Sequence, residues 1–471
     1  MVSYHLPRRT ASLSVYITLG FLSHAVITSS AVAAATPTNF VIFLADDQGW
    51  GDLGCYGHPV IQSPNLDRFA GEGVRLTQCY SACSVCSPSR SAILTGRTPY
   101  RNGVWRWIPD VTEVERFGGK GVHLRDSEIT IAQLLKEWGY DTCHVGKWHL
   151  NGHFNSDVQP QPSDHGYDHW FATQNNAAPN HKNPRNFVRN GQEVGELIGF
   201  SAPLVVEEAI RWLEGRSDRS KPFFLTVWTH EPHLPIESAP RFMRFYEELG
   251  DEGLRQHHGN ITQLDDAFGT LMQALDQMNY RDNTFVIFTS DNGPEGDGLK
   301  GRTRGSTGGL RGRKRHSWEG GIRVPGIIRW PGHVRPGTES AQPVIGSDIF
   351  TTICDIADIP LPVDRTIDGA SMLPLFQQNP IERTEPLYWR NHLAAPARRV
   401  AMRIGDWKIL GSHDLTRFEL YNLGDNNQEQ TELSAKHPEK FTQLKQTLIE
   451  HDREVMAEGP DWWKNEIDRK P

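Results

Sequence analysis

Cys86 is the residue of this chain to which the widest range of chemistry could be assigned. It lies in the stretch CSVCSPSRSAILTGR, residues 83–97, directly before Ser87 and Pro88. A capping serine and a proline in the first turn are typical of a helix start, so we expect Cys86 just outside a helix N-terminus. Backbone N–H groups at such an end favour an anion. This sequence context is compatible with four roles for Cys86: a disulfide, a redox pair with Cys83, half of a zinc site, or a nucleophile made by chemical conversion of the cysteine.

Two of these alternatives lack the sequence context that they need. The sequence has no second cysteine or histidine pair at a zinc-site spacing, and C-x-x-C has no thioredoxin-like surroundings. A disulfide through Cys83 or Cys86 stays open, as does conversion of Cys86. Six cysteines in 471 residues do not form a disulfide scaffold, although one or two bridges would suit an oxidising compartment.

Two oxygen-rich pairs follow apolar runs elsewhere in the chain. Asp46 and Asp47 follow NFVIFLA, and Asp291 and Asn292 follow NTFVIFT. Like charges about 4 Å apart repel by about 4 kcal/mol at an effective dielectric constant of about 20, so three converging aspartates call for a cation. Oxygen donors suit calcium or magnesium rather than zinc. One such pair alone would indicate capping or turn chemistry, but two at comparable strand ends favour a metal site.

Lysines and histidines supply the candidates for anion binding and proton transfer. Lys147 and His149 lie in GKWH directly after a predicted strand, where residues two apart on an extended segment share one side. His233 and Lys314 are further candidates. A positioned acid or base contributes about 10²–10⁴ in rate.

The elements that must position these residues form an alternating pattern. Five strand-length apolar runs end in polar clusters: NFVIFLA, VRLTQCYSA, DTCHV, PFFLTVW and NTFVIFT. Continuous apolar runs are typical of strands covered on both faces. Apolar residues at helical spacing predict helices that end near Gly139 and Gly215, and a third through Leu264 and Leu275. The sequence therefore predicts an α/β fold, a large mostly parallel sheet flanked by helices, with all five clusters at the carboxyl ends of the strands.

The chain divides into three predicted parts. Residues 1–35 combine two arginines, an apolar run and small residues in an A-x-A pattern, which predicts a cleaved signal peptide. Residues 36–376 carry the polar clusters and form the predicted catalytic domain. The pattern of residues 377–471 predicts hairpin strands and one amphipathic helix, which together would form a smaller C-terminal α+β subdomain. We therefore expect an exported protein, periplasmic or extracellular.

Composition argues against two classes of partner. No segment after the predicted signal peptide is long and apolar enough to span a bilayer, so we expect no stable membrane insertion. The formal net charge of −8 argues against general affinity for nucleic acid, whose binders usually carry a basic footprint.

The motif CSPSR, Cys86–Arg90, followed by SAILTGR, resembles the signature of the type I sulfatases, members of the alkaline phosphatase superfamily. Five further blocks are similar to the family's and stand in its order: ADDQGWGDLGCYG, GYDTCHVGKWHL, PFFLTVWTHEPHLP, FTSDNGP and LRGRKRHSWEGGIRVPGIIRWPG. The resemblance covers nearly the whole mature chain and is strongest to the arylsulfatase and N-acetylgalactosamine-6-sulfatase branch. It implies an alkaline phosphatase-like fold.

The resemblance also implies what the metal and Cys86 do. A formylglycine-generating or sulfatase-maturing enzyme would oxidise Cys86 to formylglycine, so the cysteine would be the precursor of a nucleophile. The implied cation is calcium, favoured over magnesium. Its implied ligands are Asp46, Asp47, Asp291, Asn292 and the formylglycine at residue 86.

The remaining motif residues receive roles in the same way. Arg90 would hold the formylglycine, and Lys147 and Lys314 would bind the sulfate. His149 would assist the nucleophilic diol, and His233 would protonate the leaving oxygen.

One block departs from the family pattern. The family commonly has Gly-Lys-Gly-Thr ahead of EGG, whereas Arg313, Lys314, Arg315 and His316 stand here. Counting back five residues from Glu319 selects Lys314 as the sulfate lysine. Arg315 and His316 are either solvated loop charges or contacts for a polyanionic substrate.

The implied function is hydrolysis of a sulfate monoester, and the resemblance together with the basic loop suggests a sulfated carbohydrate. Two alternatives stay open. One is a phosphate or phosphonate ester hydrolase of the same superfamily, and the other is a sulfated-glycan binding protein in which Cys86 is never converted.

Overall fold

The computed structural model describes residues 37–110 and 121–459. The predicted signal peptide, residues 1–35, and the last part of the predicted C-terminal subdomain, residues 460–471, lie outside this range. Among the helices within it, none combines the length and the apolar character needed to cross a bilayer.

The strands and helices of the described chain are numbered in chain order. The strands are β1 Asn39–Ala45, β2 Val74–Leu76, β3 Cys79–Tyr80, β4 Asp141–Lys147, β5 His169–Thr173, β6 Val188–Arg189, β7 Gln192–Glu193, β8 Phe223–Trp228, β9 Thr284–Ser290, β10 Arg323–Val324, β11 Gly326–Arg329, β12 Thr338–Ser340, β13 Val344–Ile345, β14 Leu387–Arg390, β15 Val400–Ile404, β16 Trp407–Gly411 and β17 Phe418–Asn422. The α-helices are α1 Pro64–Glu72, α2 Cys86–Thr95, α3 Pro99–Asn102, α4 Ile131–Glu137, α5 Ser201–Gly215, α6 Pro240–Met243, α7 Glu252–Gln277, α8 Glu319–Ile322, α9 Asp348–Ile356, α10 Leu373–Phe376 and α11 Pro438–Glu458. Short 3₁₀ turns cover Gly54–Tyr56, Arg244–Leu249, Arg281–Asn283 and Pro396–Arg398.

The main sheet has ten strands in the order β12-β2-β11-β9-β1-β8-β4-β5-β6-β7. Its five central strands, β9, β1, β8, β4 and β5, are parallel to one another. Antiparallel pairing begins on one side at β11 and on the other at β6. The predicted large, mostly parallel sheet is therefore confirmed, with antiparallel pairs on both sides of the central strands and one more parallel pair, β12 with β2, at the edge.

Both faces of this sheet are covered, as the unbroken apolar runs require. Alternate side chains of β1 belong to two different cores, because successive residues of a strand point to opposite faces. Helices α2, α4 and α9 pack into the core that contains Phe40. Helices α1, α5 and α7 pack into the core that contains Phe43. The three helices predicted from apolar spacing correspond to α4, α5 and α7.

One predicted strand was wrong. The run VRLTQCYSA does not form one continuous strand, because it breaks at Thr77 and Gln78, whose backbone groups pair with Ser340 and Val344. The first half is β2, which is antiparallel to β11, and the second is β3 in a separate sheet β10-β3-β13. Cys86 therefore enters the site from a neighbouring layer and not from the end of a central strand.

The C-terminal part forms a separate antiparallel sheet, β14-β15-β16-β17, which we call the C-terminal sheet. The predicted hairpin is β15 with β16, and β17 pairs with β16 in turn. The predicted amphipathic helix is α11. These elements confirm a smaller α+β subdomain, while the boundary predicted after residue 376 stays a prediction.

Candidate active site

The two oxygen-rich pairs lie side by side at the carboxyl ends of adjacent parallel strands. Ala45 of β1 is in register with Ser290 of β9, so the residues that follow each strand emerge at the same height. All four side chains are buried, at 2% exposure or less. The backbone N–H of Asp47 donates to Asp291 Oδ1 at 3.2 Å, and Asn292 Nδ2 donates to Asp47 Oδ1 at 2.7 Å.

Cys86 is the first residue of α2, not a residue outside it, and Val85 occupies the cap position. The predicted cap was wrong because Ser87 Oγ accepts a hydrogen bond from the Ile108 N–H at 3.1 Å instead. Cys86 Sγ lies 3.7 Å from Asp46 Oδ1, and Cys83 and Cys86 are both free thiols. Burial raises the pKa of Cys86 to about 12, so the unconverted side chain is a protonated thiol and a poor nucleophile.

Arg90, one helical turn after Cys86, joins three elements of the site. Its Nε and Nη2 donate to Asp291 Oδ2 at 3.0 and 2.7 Å, and its Nη1 donates to the Lys147 carbonyl at 3.0 Å. The guanidinium lies 5.2 Å from the Trp228 ring centroid. This fully buried cation therefore fixes the ends of α2, β4 and β9 relative to one another.

The two lysines pair with different acids of the cluster. Lys147 Nζ, at the end of β4, lies 2.7 Å from Asp46 Oδ2. Lys314 Nζ lies 2.6 Å from Asp47 Oδ1 and 3.2 Å from Glu295 Oε2. The structure thus places the lysine selected from the unusual block against the acid cluster.

His149 lies beside this cluster, two residues after the end of β4. Its φ of 57° is left-handed, so the extended geometry expected for GKWH ends at Lys147. Its Nε2 donates to the Ile108 carbonyl at 2.8 Å, which leaves Nδ1 of the neutral ring as an acceptor. Nδ1 is buried and has no hydrogen-bond partner among the described residues. Burial, with Lys147 and Arg90, holds the pKa of His149 well below its usual range.

His233 reaches the cluster from the loop after β8. Its Nε2 lies 3.6 Å from Asp47 Oδ2, and its Nδ1 donates to the Leu234 carbonyl at 2.6 Å. Burial and the charge of Lys314 lower its pKa to about 3. An anion bound beside the ring would act in the opposite direction.

The three aspartates differ in how far nearby cations offset the effect of burial on the carboxyl pKa. Burial alone would raise the pKa of Asp46, but Lys147 and the other nearby cations hold it well below its usual range. Burial and the charge of Asp46 raise the pKa of Asp291 to about 6, and burial also raises the pKa of Asp47. The nearby cations therefore compensate Asp46 more fully than they compensate Asp47 and Asp291.

A divalent cation fits this donor set. Ligand atoms of Asp46, Asp47, Cys86 and His233 lie within 4.8 Å of one another. Asn292 Oδ1 is buried and has no hydrogen-bond partner in the described chain. Carboxylate and amide oxygens suit a hard cation such as calcium.

The structure brings together every residue predicted for the site, and their individual roles stay predictions. It also adds Glu295, which pairs with Lys314 and with Arg315, and Trp228 below Arg90. Glu295 stands three residues after Asn292 in SDNGPEG, so its place in an acidic cluster could have been noticed. No sequence signal pointed to Trp228, because a tryptophan at a strand end is ordinarily a core residue.

Matches to two protein-family models together cover nearly the whole described chain. The model described as "Sulfatase" matches residues 38–359, and that described as "N-sulphoglucosamine sulphohydrolase, C-terminal" matches residues 312–456.

Individual relatives give the same result. N-acetylgalactosamine-6-sulfatase of Rattus norvegicus is 36% identical over 402 residues, which cover 80% of this chain and 72% of that protein. Arylsulfatase A of Homo sapiens is 34% identical over 405 residues, which cover 81% and 76% of the two chains. The crystal structure of Ps i-CgsB is similar with a TM-score of 0.79 and 25% identity, over 90% of this chain and 94% of that chain, and a second structure shows that protein with k-i-k-neocarrahexaose. This chain, with its sulfatase-like fold, belongs to the sulfatase family and is a sulfuric ester hydrolase.

Proposed function

We propose that the protein is an exported sulfatase that hydrolyses a sulfate monoester of a sulfated carbohydrate, with a formylglycine made from Cys86 and a bound calcium ion. The observation that carries the proposal is the position of Cys86 at the start of α2, 3.7 Å from Asp46 within a buried set of acids, lysines and histidines. The names of its relatives and the oligosaccharide complex of Ps i-CgsB support a glycan substrate. Export rests on the sequence of residues 1–35.

The two groups that complete the site have separate tasks. A hydrated formylglycine supplies two hydroxyls, one to attack sulfur and one to release sulfate. Asp46, Asp47, Asp291 and Asn292 would hold a calcium ion, which would supply positive charge to stabilise the transferring group. A formylglycine-generating or sulfatase-maturing enzyme would be the partner that converts Cys86.

Two lysines are placed to bind the sulfate oxygens. An ammonium group has three N–H donors, and Lys147 Nζ lies against one carboxylate while Lys314 Nζ lies against two. The remaining donors are available to an anion. Donors fixed in a buried site before the reaction stabilise developing charge more than mobile water does.

His149 and His233 would carry out different proton transfers. His149 Nδ1 is the acceptor that would take a proton from the nucleophilic hydroxyl. His233 would deliver a proton to the leaving oxygen from Nε2, because Nδ1 is held by the Leu234 carbonyl. This transfer needs the doubly protonated imidazolium ring, which an anionic sulfate ester bound beside it would favour. Both rings have one nitrogen fixed by a backbone carbonyl, which sets the orientation of the other.

A pair of alanine variants should distinguish Lys314 from its neighbour. We expect Lys314→Ala to lower kcat/KM for a small aryl sulfate by about 10²–10³, the usual cost of one charge-stabilising donor. Arg315→Ala should change it less than about tenfold, because Arg315 is 46% exposed and pairs with Glu295. A larger loss from Arg315→Ala would assign the sulfate contact to the arginine.

The test of the proposed function is mass spectrometry of the peptide that contains Cys86, from protein exported by its native host. A loss of about 18 Da relative to cysteine is the expected result for conversion of the thiol to an aldehyde at an activated nucleophile. An unmodified or disulfide-bonded Cys86, with binding of sulfated glycans but no turnover, would favour the binding-protein alternative.

The phosphate or phosphonate ester alternative requires a rate comparison. Matched aryl sulfate, phosphate and phosphonate esters share a leaving group, so their kcat/KM ratio reports only the transferred group. We expect the sulfate ester to be the best substrate. A faster phosphate or phosphonate ester would move the assignment to that activity.

A further inference from the structure

Glu429, in the segment between β17 and α11, contacts both ends of the segment 311–319. Its carboxylate Oε2 accepts a hydrogen bond from the Glu319 N–H at 2.7 Å. Its backbone carbonyl accepts one from Arg311 Nη1, also at 2.7 Å. The Gly320 N–H donates to the Arg311 carbonyl at 2.7 Å, so these ends are close together. One residue from the C-terminal part therefore holds the base of this segment.

The segment that Glu429 holds carries Lys314. It contains no helix or strand between residues 311 and 318, so its position depends on individual contacts. The Lys314 N–H donates to the Pro294 carbonyl at 3.0 Å, and the Arg315 N–H donates to the Ser84 carbonyl at 2.9 Å. Loops of this kind are the least stable parts of a fold and require external support to hold a functional group.

The support is a buried network of charges. Lys408 Nζ, on β16 of the C-terminal sheet, lies 2.8 Å from both Glu319 and Glu429, and all three residues have no exposed surface. Arg323 Nε and the Tyr80 hydroxyl also donate to Glu319. Apolar side chains could join two layers at least as strongly as buried ions, so stability alone does not explain this network. Paired ions with fixed hydrogen bonds do define a single geometry.

The backbone of Glu429 provides a second, independent observation. Its φ of 53° lies in the left-handed region, which glutamate adopts rarely. Such a conformation costs energy and persists only where the surroundings enforce it, which occurs most often at functional sites. Glycine or asparagine would fit this turn better, but neither would supply the carboxylate.

The network is also connected to the acid cluster. Glu319 begins α8, and the Gly321 carbonyl of that helix accepts a hydrogen bond from the Gly293 N–H at 3.0 Å. Gly293 directly follows Asn292. The same support therefore reaches the backbone of a proposed cation ligand as well as the segment that carries Lys314.

We propose that Glu429 and Lys408 are positioning residues for the reaction, and that the C-terminal sheet contributes to catalysis by fixing Lys314. The inference rests on the proposed role of Lys314 in sulfate binding. Neither residue touches the substrate in this proposal, because both act through Glu319 and the segment 311–319.

The first experiment measures kcat and KM of Glu429→Ala and Glu429→Gln on a small aryl sulfate. We expect the alanine variant to lose at least about tenfold in kcat with a smaller change in KM, since a displaced group far from the chemistry can cost about 10²-fold. Glutamine, which can still accept from the Glu319 N–H, should recover part of this loss. Glu432→Ala is the matched control, because Glu432 lies in the same segment and accepts hydrogen bonds from Leu420 and Ser434 rather than from the segment 311–319.

The second experiment repeats Glu429→Ala in a Lys314→Ala background. If Glu429 acts through Lys314, its effect on kcat should largely disappear there, because effects of residues that share one function are not additive. Equal losses in both backgrounds, or a loss in kcat that only follows the folded fraction, would overturn the positioning role. Wild-type rates for Lys314→Ala would instead overturn the proposed role of Lys314.

A third variant covers the case in which Glu429→Ala does not fold. Arg311→Met removes the donor to the Glu429 carbonyl at an exposed position while an apolar side chain can still pack over Trp318. We expect a loss of at least about threefold in kcat that also disappears in the Lys314→Ala background. Unchanged kcat would count against the proposal. Each preparation is first checked for the same extent of Cys86 conversion by peptide mass.

Discussion

Replacement of Cys86 by serine is expected to leave a protein that reacts once with its substrate and then stops. The serine hydroxyl occupies the same position at the start of α2, next to Asp46 and Arg90. It can attack sulfur and expel the alcohol, with the proton passing to the leaving oxygen. It has no second hydroxyl with which to release the sulfate. We expect turnover to fall by at least about 10³-fold, and the intact mass to rise by about 80 Da on incubation with substrate, the mass of a covalently retained SO₃ group.

Two variants make this result specific to Cys86. Cys86→Ala should lose turnover without gaining mass, because it has no hydroxyl. Cys83→Ser is the matched control: Cys83 is equally buried three residues earlier, and the role proposed here does not require its thiol. We expect it to keep its turnover after correction for the folded fraction. Sustained turnover by Cys86→Ser or Cys86→Ala would place the nucleophile elsewhere.

The parts of the fold that could be predicted are those whose signal is local in sequence. Strands β1, β8 and β9 are buried on both faces, so their residues are mostly apolar without alternation and the pattern is plain. Parallel strands place their carboxyl ends at one edge, which was sufficient to bring Asp46 and Asp291 together. The C-terminal hairpin was equally clear, because β15 and β16 are joined by a short turn.

The parts that could not be predicted depend on partners far away in the chain. Ser87 has the residue type of a helix cap, but its hydroxyl accepts a hydrogen bond from the Ile108 N–H instead. The run VRLTQCYSA has strand composition, but Thr77 and Gln78 pair with other segments and divide it. Glu429 and Glu319 are 110 residues apart, so no periodicity or spacing connects them. In each of these cases hydrogen bonds to residues distant in the sequence determined the local structure.

Removal of the divalent cation is the second change with a large expected effect, on both activity and stability. Asp46, Asp47 and Asp291 are fully or almost fully buried, and without a bound cation Lys147, Lys314 and Arg90 are their counter-charges. A bound cation would share these carboxylates and leave the lysines available to sulfate oxygens. A ligand present at about 1,000 times its Kd stabilises the folded state by about 4 kcal/mol, so chelation should lower Tm by several degrees.

The measurement follows aryl sulfate turnover and Tm on the same sample after chelation and after return of calcium or magnesium. We expect both quantities to fall together and to be restored by calcium. Asn292→Ala should need more calcium for the same recovery, because the buried Oδ1 of Asn292 is one of the proposed ligands. Asp265→Asn is the control: Asp265 is a buried acid that accepts hydrogen bonds from Asn65 and Leu66, so its loss should lower Tm without changing the calcium requirement. Recovery with magnesium alone would change the assigned ion, whereas full activity in a sample shown to be metal-free would mean that the lysines and Arg90 balance the acids without a cation.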